Sequence, residues 1–239
     1  PTEYESKSKD KGEVVLPDFP DLEEEYLKKW QVLLTKTFTR QRDSILPKAK
    51  AVGTFDQLHL LFDKQRWVKE MTEDFVLLSK ETANAFGHAW AKQIGEEYDE
   101  EKLSEWLETN GRIAAEYLNE SLFEDLQVAM ASEAPIEAMK KVFELALAVT
   151  VARFAQSRMT ALENKVEVDI IVESPFFNTK IWQVRSTNPR HTQAAMHGVE
   201  VGKKDYFPNG LFRPGDYKGS AEETVNCRCK LAYRKVAKP

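Results

Sequence analysis

No proline interrupts the chain between Pro47 and Pro135, and five of its ten glycines are gathered between Gly198 and Gly219. Proline breaks a helix because it lacks a backbone donor and clashes with the preceding turn, whereas glycine reaches the left-handed geometry that tight turns require. The proline-free interval is therefore open to long helices, and the glycine-rich one must bend repeatedly. Together they predict an α+β chain: a mostly helical N-terminal part followed by a small, turn-rich C-terminal α+β module.

The helical part carries its own signature. Leu22, Tyr26, Trp30, Leu33, Leu34 and Phe38 recur at the three- and four-residue steps of one helix face. Asp21 with Glu24 resembles a capping box at its start, and Pro47 is expected to end it. Phe86, Trp90 and Ile94, then Leu103, Trp106 and Leu107, continue the helical pattern, with Gly95 and the pair Asn110 and Gly111 read as helix ends. Pro135 suits the first turn of a helix, and the alanine-rich apolar segment after it predicts one long helix over 135–165, central to the core. Residues 1–20 hold too little apolar material to offset the entropy of ordering them and read as a flexible arm or linker.

Near Pro175 the pattern changes. KIWQVRS reads as one strand and NCRCKLAYR as another, on which Cys227, Cys229, Leu231 and Tyr233 share one face while Arg228, Lys230 and Arg234 point the other way. Between them FPNGLFRPGD is built of turn pairs. The expected organisation is an arm over 1–20, a helical domain over 21–134, and a module over 135–239 whose strand and turn-rich part spans 179–233.

With 239 residues, 42% of them hydrophobic, an ordinary buried core is within reach. No apolar run approaches the roughly 20 residues that cross a bilayer, and PTEYESKSKDKGE lacks the apolar stretch of a secretory signal, so no membrane partner is expected. An initial Pro fits a trimmed start, a processed precursor or a fragment alike. Cys227 and Cys229 are too close on one strand for an unstrained disulfide. The net charge of -5 is unevenly placed: from Lys180 onward 12 Lys and Arg face 5 Asp and Glu, giving +7, so the preceding part carries -12. Such a field attracts DNA or the acidic helical part of a neighbouring copy.

The identifying signal is an ordered series: a strand bearing Trp182, then Asn188, Pro189, Arg190 and His191, a short helical piece closed by Gly198, Phe207 before the turn of Asn209 and Gly210, the turn Pro214, Gly215 and Asp216, the acidic pair Glu222 and Glu223, and a closing Asn226, Cys227, Arg228 and Cys229. This series resembles the C-terminal half of the phage Mu F-like head morphogenesis family. Single elements such as Cys-x-Cys are weak, but the order and spacing of the whole are specific. The preceding AQSRMTALENK resembles the family helix that leads into this module, with Arg158 where many members have an acidic residue. The resemblance covers the chain from about residue 130 onward.

What the resemblance implies is a structural minor head protein of a tailed bacteriophage, not an enzyme. It would be made in the bacterial cytoplasm and join portal, capsid or scaffold proteins in the virion or procapsid interior, with DNA and further copies of itself as additional partners. Some relatives have Cys and His at positions that look like zinc ligands, and here His191, His197, Cys227 and Cys229 form the candidate set; the bland alternative packs both thiols as small hydrophobes, and no cofactor is expected. His191 near Asp216, Glu222 and Glu223 offers acid-base groups, against the simpler reading that these residues hold loops through backbone hydrogen bonds. His59 and His88 read as helix residues. The rival functions are an enzyme or toxin-like protein acting on nucleic acid or NAD, and a DNA-binding protein of the capsid interior. Neither a phosphate-binding glycine loop, a His-Glu-x-x-His helix nor a helix-turn-helix or aromatic stacking platform supports them.

Overall fold

The computed structural model describes residues 12–52 and 58–236. The elements in chain order are β1 (Val14–Val15), α1 (Pro20–Val52), α2 (Leu58–Leu61), α3 (Lys64–Ile94), α4 (Ser104–Met130), α5 (Pro135–Leu145), a π-helical turn (Ala146–Thr150), α6 (Val151–Glu173), β2 (Phe177–Gln183), α7 (His191–Met196), β3 (Glu200–Gly202), α8 (Ala221–Thr224) and β4 (Lys230–Lys235). The protein is mostly helical α+β, with a small antiparallel sheet of order β1-β4-β2-β3. The chain forms two compact units, and their segments interleave. One gathers residues 24–82 and 101–155, and the other the N-terminal residues through Glu23, residues 83–100 and everything from Gln156 onward.

The first unit is a helical assembly. The stripe Tyr26, Trp30, Leu34 and Phe38 is buried on α1, as its spacing predicts, and Ile45 and Ala49 continue it. Trp30 meets Phe75 edge to face at 5.4 Å, Phe62 meets Phe123 at 5.7 Å, and Phe75 stacks on Phe154 at 5.8 Å, so aromatic contacts dominate this core. The buried Asn119 amide is satisfied by Gln41, which donates to its oxygen at 2.8 Å, and by the Ala115 carbonyl at 2.8 Å.

Two expected helix ends in this unit are not ends. Pro47 lies inside α1, on its exposed side, where the carbonyl it leaves without an intrahelical donor is open to water and the buried Ile45 and Ala49 hold the turn in place. Asn110 and Gly111 lie within α4, both buried. A Cβ at Gly111 would come within 2.8 Å of the Val76 side chain, so this glycine serves helix packing rather than a turn. By contrast Gly95, at φ +75°, does close α3.

The second unit holds the sheet. β2 and β4 pair from Phe177 opposite Lys235 to Gln183 opposite Lys230, and β3 and β1 occupy the edges. Here the expected arm is corrected from Gly12 onward: Val14 pairs with Arg234 and Val15 with Tyr233, and Phe19 packs edge-on against Phe86 at 6.3 Å. A few apolar residues and one backbone ladder suffice to order it; residues 1–11 lie outside the described residues. The long helix expected over 135–165 runs on to Glu173, with the π turn at Ala146–Thr150 dividing it. Against the sheet lies a core of Trp90, Val168, Ile171, Phe177, Trp182, Phe207, Leu231 and Tyr233.

Part of the basic charge of the C-terminal segment is paired within this same unit. Arg185 pairs with Asp18 at 3.5 Å, Lys235 with Glu13 at 2.8 Å, and Arg234 with Glu200 at 2.7 Å. Asp18 and Glu13 come from the N-terminal residues, so the folded unit offsets part of the imbalance that the sequence shows.

Candidate functional site

Helix α6 turns Thr160, Glu163, Asn164 and Glu167 onto one buried face, since steps of three and four residues return to the same side of a helix. Polar side chains survive there only if paired, and β4 supplies the partners. Thr160 donates to the Cys227 carbonyl and Asn164 to the Cys229 carbonyl at 3.1 Å, holding the segment before β4. Lys230 Nζ donates to Glu163 at 2.9 Å and also to Glu23 on α1. Lys230 was expected on the strand face opposite Cys229, Leu231 and Tyr233. Both faces of β4 are covered, so the Lys230 ammonium is buried in an ion triad.

The electrostatics of this cluster follow from its dryness. Burial pushes Glu163 up to about 7, against the pull of Lys230. Glu167 is raised well above the ordinary carboxylate range, first by burial and then by the neighbouring Glu163. Burial works against the charge of Lys230, but Glu163 and Glu23 outweigh it and leave its pKa raised. Both Glu167 oxygens and the Tyr233 hydroxyl are buried without a partner of full hydrogen-bond geometry, while Tyr233 is the side chain that interacts with Glu167. A protonated Glu167 satisfies this arrangement, because a neutral carboxyl costs far less to bury than an ion.

A second polar centre lies under the turn-rich loop. Lys180 on β2 is fully buried, donates to the Phe212 carbonyl at 2.7 Å, and sits 3.1 Å from the Phe212 ring centroid. Burial, with Arg213 adding to it, brings this amine down to about 7, against the pull of Asp205 and Asp216. Asp216 accepts the backbone N–H groups of Phe212 at 3.3 Å and Lys218 at 3.2 Å, which fixes the loop from within.

The residues singled out from sequence fall into place as follows. Trp182 meets Phe207 edge to face at 5.0 Å. Asn188 donates its N–H to Ser186 at 3.2 Å, Pro189 is half-buried, and Arg190 reaches the carbonyls of Glu222 and Val225, the latter at 2.7 Å. Glu223 accepts from Gln193 through its carbonyl at 3.3 Å, so the acidic pair contributes backbone rather than carboxylates. Gly198, Gly210 and Gly215 all have positive φ; Asn209 accepts the Leu211 N–H at 3.2 Å, and Pro214 is buried beside Gly215. Asn226 adopts φ 53° and donates its N–H to Ser157 at 2.7 Å. Cys227 and Cys229 are buried as free thiols, the Cys229 N–H pointing at the Cys227 sulfur at 3.4 Å, and Arg228 between them is exposed. The hydrogen bond shared with Cys229, reinforced by burial, raises the Cys227 thiol.

These placements separate the chemical readings. Asp216 holds backbone groups, not His191, which stands exposed at the start of α7. The four zinc candidates do not fit a metal ion: His197 accepts the Val184 N–H through Nδ1 at 3.2 Å, and among the described residues no three His, Cys, Asp or Glu side chains come together in a metal-holding group. His59 is exposed, and His88 meets Glu100 at 2.7 Å. Arg158 is buried, and burial brings its guanidinium down to about 10. Among the described residues no helix is long and apolar enough to cross a membrane.

Sequence reasoning missed Glu23, Glu163, Glu167, Lys180 and Lys230. The only available signal was the i, i+4 spacing of Glu163 and Glu167 on a helix that is otherwise apolar on much of its circumference. Compared with protein-family models, with curated proteins and with solved structures, the chain matches none.

Proposed function

We propose that this chain is a structural minor head protein of the phage Mu F-like head morphogenesis family, joining the portal or the capsid interior while a procapsid assembles. The observation that carries the reading is how the motif residues use their polar groups. Arg190, Asn209 and Asp216 bind backbone groups of their own unit, the Asn226 N–H is held by the Ser157 hydroxyl, the glycines supply left-handed turns, and the thiols are packed. A series that is conspicuous in sequence thus builds shape, and a rigid turn-rich surface is what docking on an assembling particle requires. No turnover is needed in this role.

Docking on protein rather than DNA is in keeping with the pairing of Arg185, Arg234 and Lys235 to carboxylates of their own unit, which takes these three cations from a phosphate-tracking surface. The test is the protein content of heads assembled in cells that make this chain together with its cognate portal and capsid proteins. Co-purification with procapsids through a density gradient is expected. Free chain at the top of the gradient, with particles that lack it, contradicts the proposal.

A further inference from the structure

Within the helical unit, two helices present opposite charge to solvent. From Tyr26 onward α1 carries Lys28, Lys29, Lys36, Arg40, Arg42, Lys48 and Lys50 against a single acid, Asp43. Helix α4 carries Glu105, Glu108, Glu116, Glu120, Glu124 and Asp125 against a single base, Arg112. The buried faces of the two helices are joined by the hydrogen bond from Gln41 to Asn119; Lys29 and Arg40 of α1 and Glu108 of α4 turn to Glu81, Glu70 and Lys80 of α3, and the remaining exposed charges face outward.

Each charged face also has exposed apolar side chains. On α1, Lys28, Val32 and Lys36 follow at four-residue steps, and Lys50 returns to the same side five full turns after Val32, which is 61% exposed. On α4, Ile113, Tyr117, Glu120, Glu124 and Val128 follow at steps of three and four residues; the apolar three are 37%, 54% and 75% exposed. Part of the acidic face is already engaged, Glu116 by Arg112 at 2.8 Å and Glu120 by Lys64, but such exposed pairs are weak and exchange partners readily. Lys28, Lys36, Lys48 and Lys50 are exposed along α1.

We propose that the outward face of α1 on one copy docks on the outward face of α4 on a second copy. The occupant is a second copy because the same unit carries both halves of the match: cations around Val32, and carboxylates around Ile113, Tyr117 and Val128. The contact is heterologous, joining two different surfaces, so it propagates from copy to copy and builds rings if the rotation closes, or open chains if it does not. This inference does not depend on the head-protein reading.

The experiment is sedimentation velocity on the full chain up to about 100 µM, a range that detects weak association. Salt is set at about 50 mM and then about 500 mM, which shortens the screening length roughly threefold. Association at low salt that weakens at least tenfold at high salt is expected. Two charge-reversed variants then test the faces, K28E/K36E/K50E and E116K/E120K/E124K, with far-ultraviolet circular dichroism to confirm helix content and E116Q/E120Q/E124Q as a milder control. Each reversed variant alone should sediment as a monomer, and an equimolar mixture should associate again, because every contact then finds an opposite charge. The wild type remaining a monomer at low salt would overturn the proposal, as would oligomers that both variants leave intact. Salt-sensitive binding of duplex DNA lost with K28E/K36E/K50E, in a chain that stays monomeric, would assign the α1 face to DNA instead.

Discussion

Lys230 and Glu163 meet at 2.9 Å with only 8% and 5% of their side chains exposed, joining β4 to α6 through a charge pair that water hardly reaches. Removing one partner strands the other. Above about pH 7, where Glu163 is ionised, Lys230→Ala should therefore cost about 3–5 kcal/mol in chemical denaturation, whereas replacing Lys230 and Glu163 together with Met and Leu should cost far less. Equal losses in the single and double variants would mean that packing volume, not stranded charge, sets the cost.

The same cluster gives the protein an inverted pH response. Glu163, raised to about 7, and Glu167, raised well above its ordinary value, keep their protons in the folded state where an unfolded carboxyl near 4.5 has lost them. Their contribution to stability is full below about 4.5 and is lost as pH rises toward 7. Lys180 does not interfere in that window, because below about 7 it is protonated whether folded or unfolded. The denaturation midpoint should thus fall between pH 5 and pH 7, and Glu167→Gln should flatten that fall by on the order of 1–3 kcal/mol. A slope unchanged in the variant would exclude Glu167 as a proton holder.

How much of this was readable in advance depended on which residues carried the signal. Tyr26, Trp30, Leu34 and Phe38 announced a buried helix face because a period of 3.6 needs no tertiary information. The turn residues Gly198, Gly210 and Gly215 likewise announced left-handed backbone. Gly111 misled because the same absence of a Cβ that permits a turn also permits close approach to Val76. The burial of Lys230 was not legible, because pleat alternation tells which residues share a side, not whether both sides are covered. The partnership of Lys230 with Glu23 joins opposite ends of the chain, and no local pattern encodes it.

Glycine positions in the turn-rich part should separate by surroundings. A Cβ at Gly215 would lie 2.8 Å from the Ala161 Cα on α6, while at Gly198 and Gly210 nothing lies within 4 Å. All three have positive φ, so alanine at any of them costs about 1–2 kcal/mol. Gly215→Ala should lose clearly more in thermal denaturation because helix backbone must move; comparable losses at all three would show that the contact yields freely.

The two thiols should behave as core groups. Cys227 and Cys229 are 0% and 1% exposed, so a maleimide probe should label neither in the folded protein and both after denaturation. Chelation should leave the melting temperature unchanged. A fall of more than a few degrees after dialysis against chelator would mean that thiolates hold a metal ion.

The most direct measurement of the account is the number of copies of this chain per purified procapsid, counted by quantitative mass spectrometry for the wild type, His191→Ala and Arg190→Ala. The shape-building role predicts that wild type and His191→Ala are incorporated equally. Arg190→Ala, which releases the carbonyls of Glu222 and Val225, should be depleted several-fold. Particles devoid of the wild-type chain would contradict it.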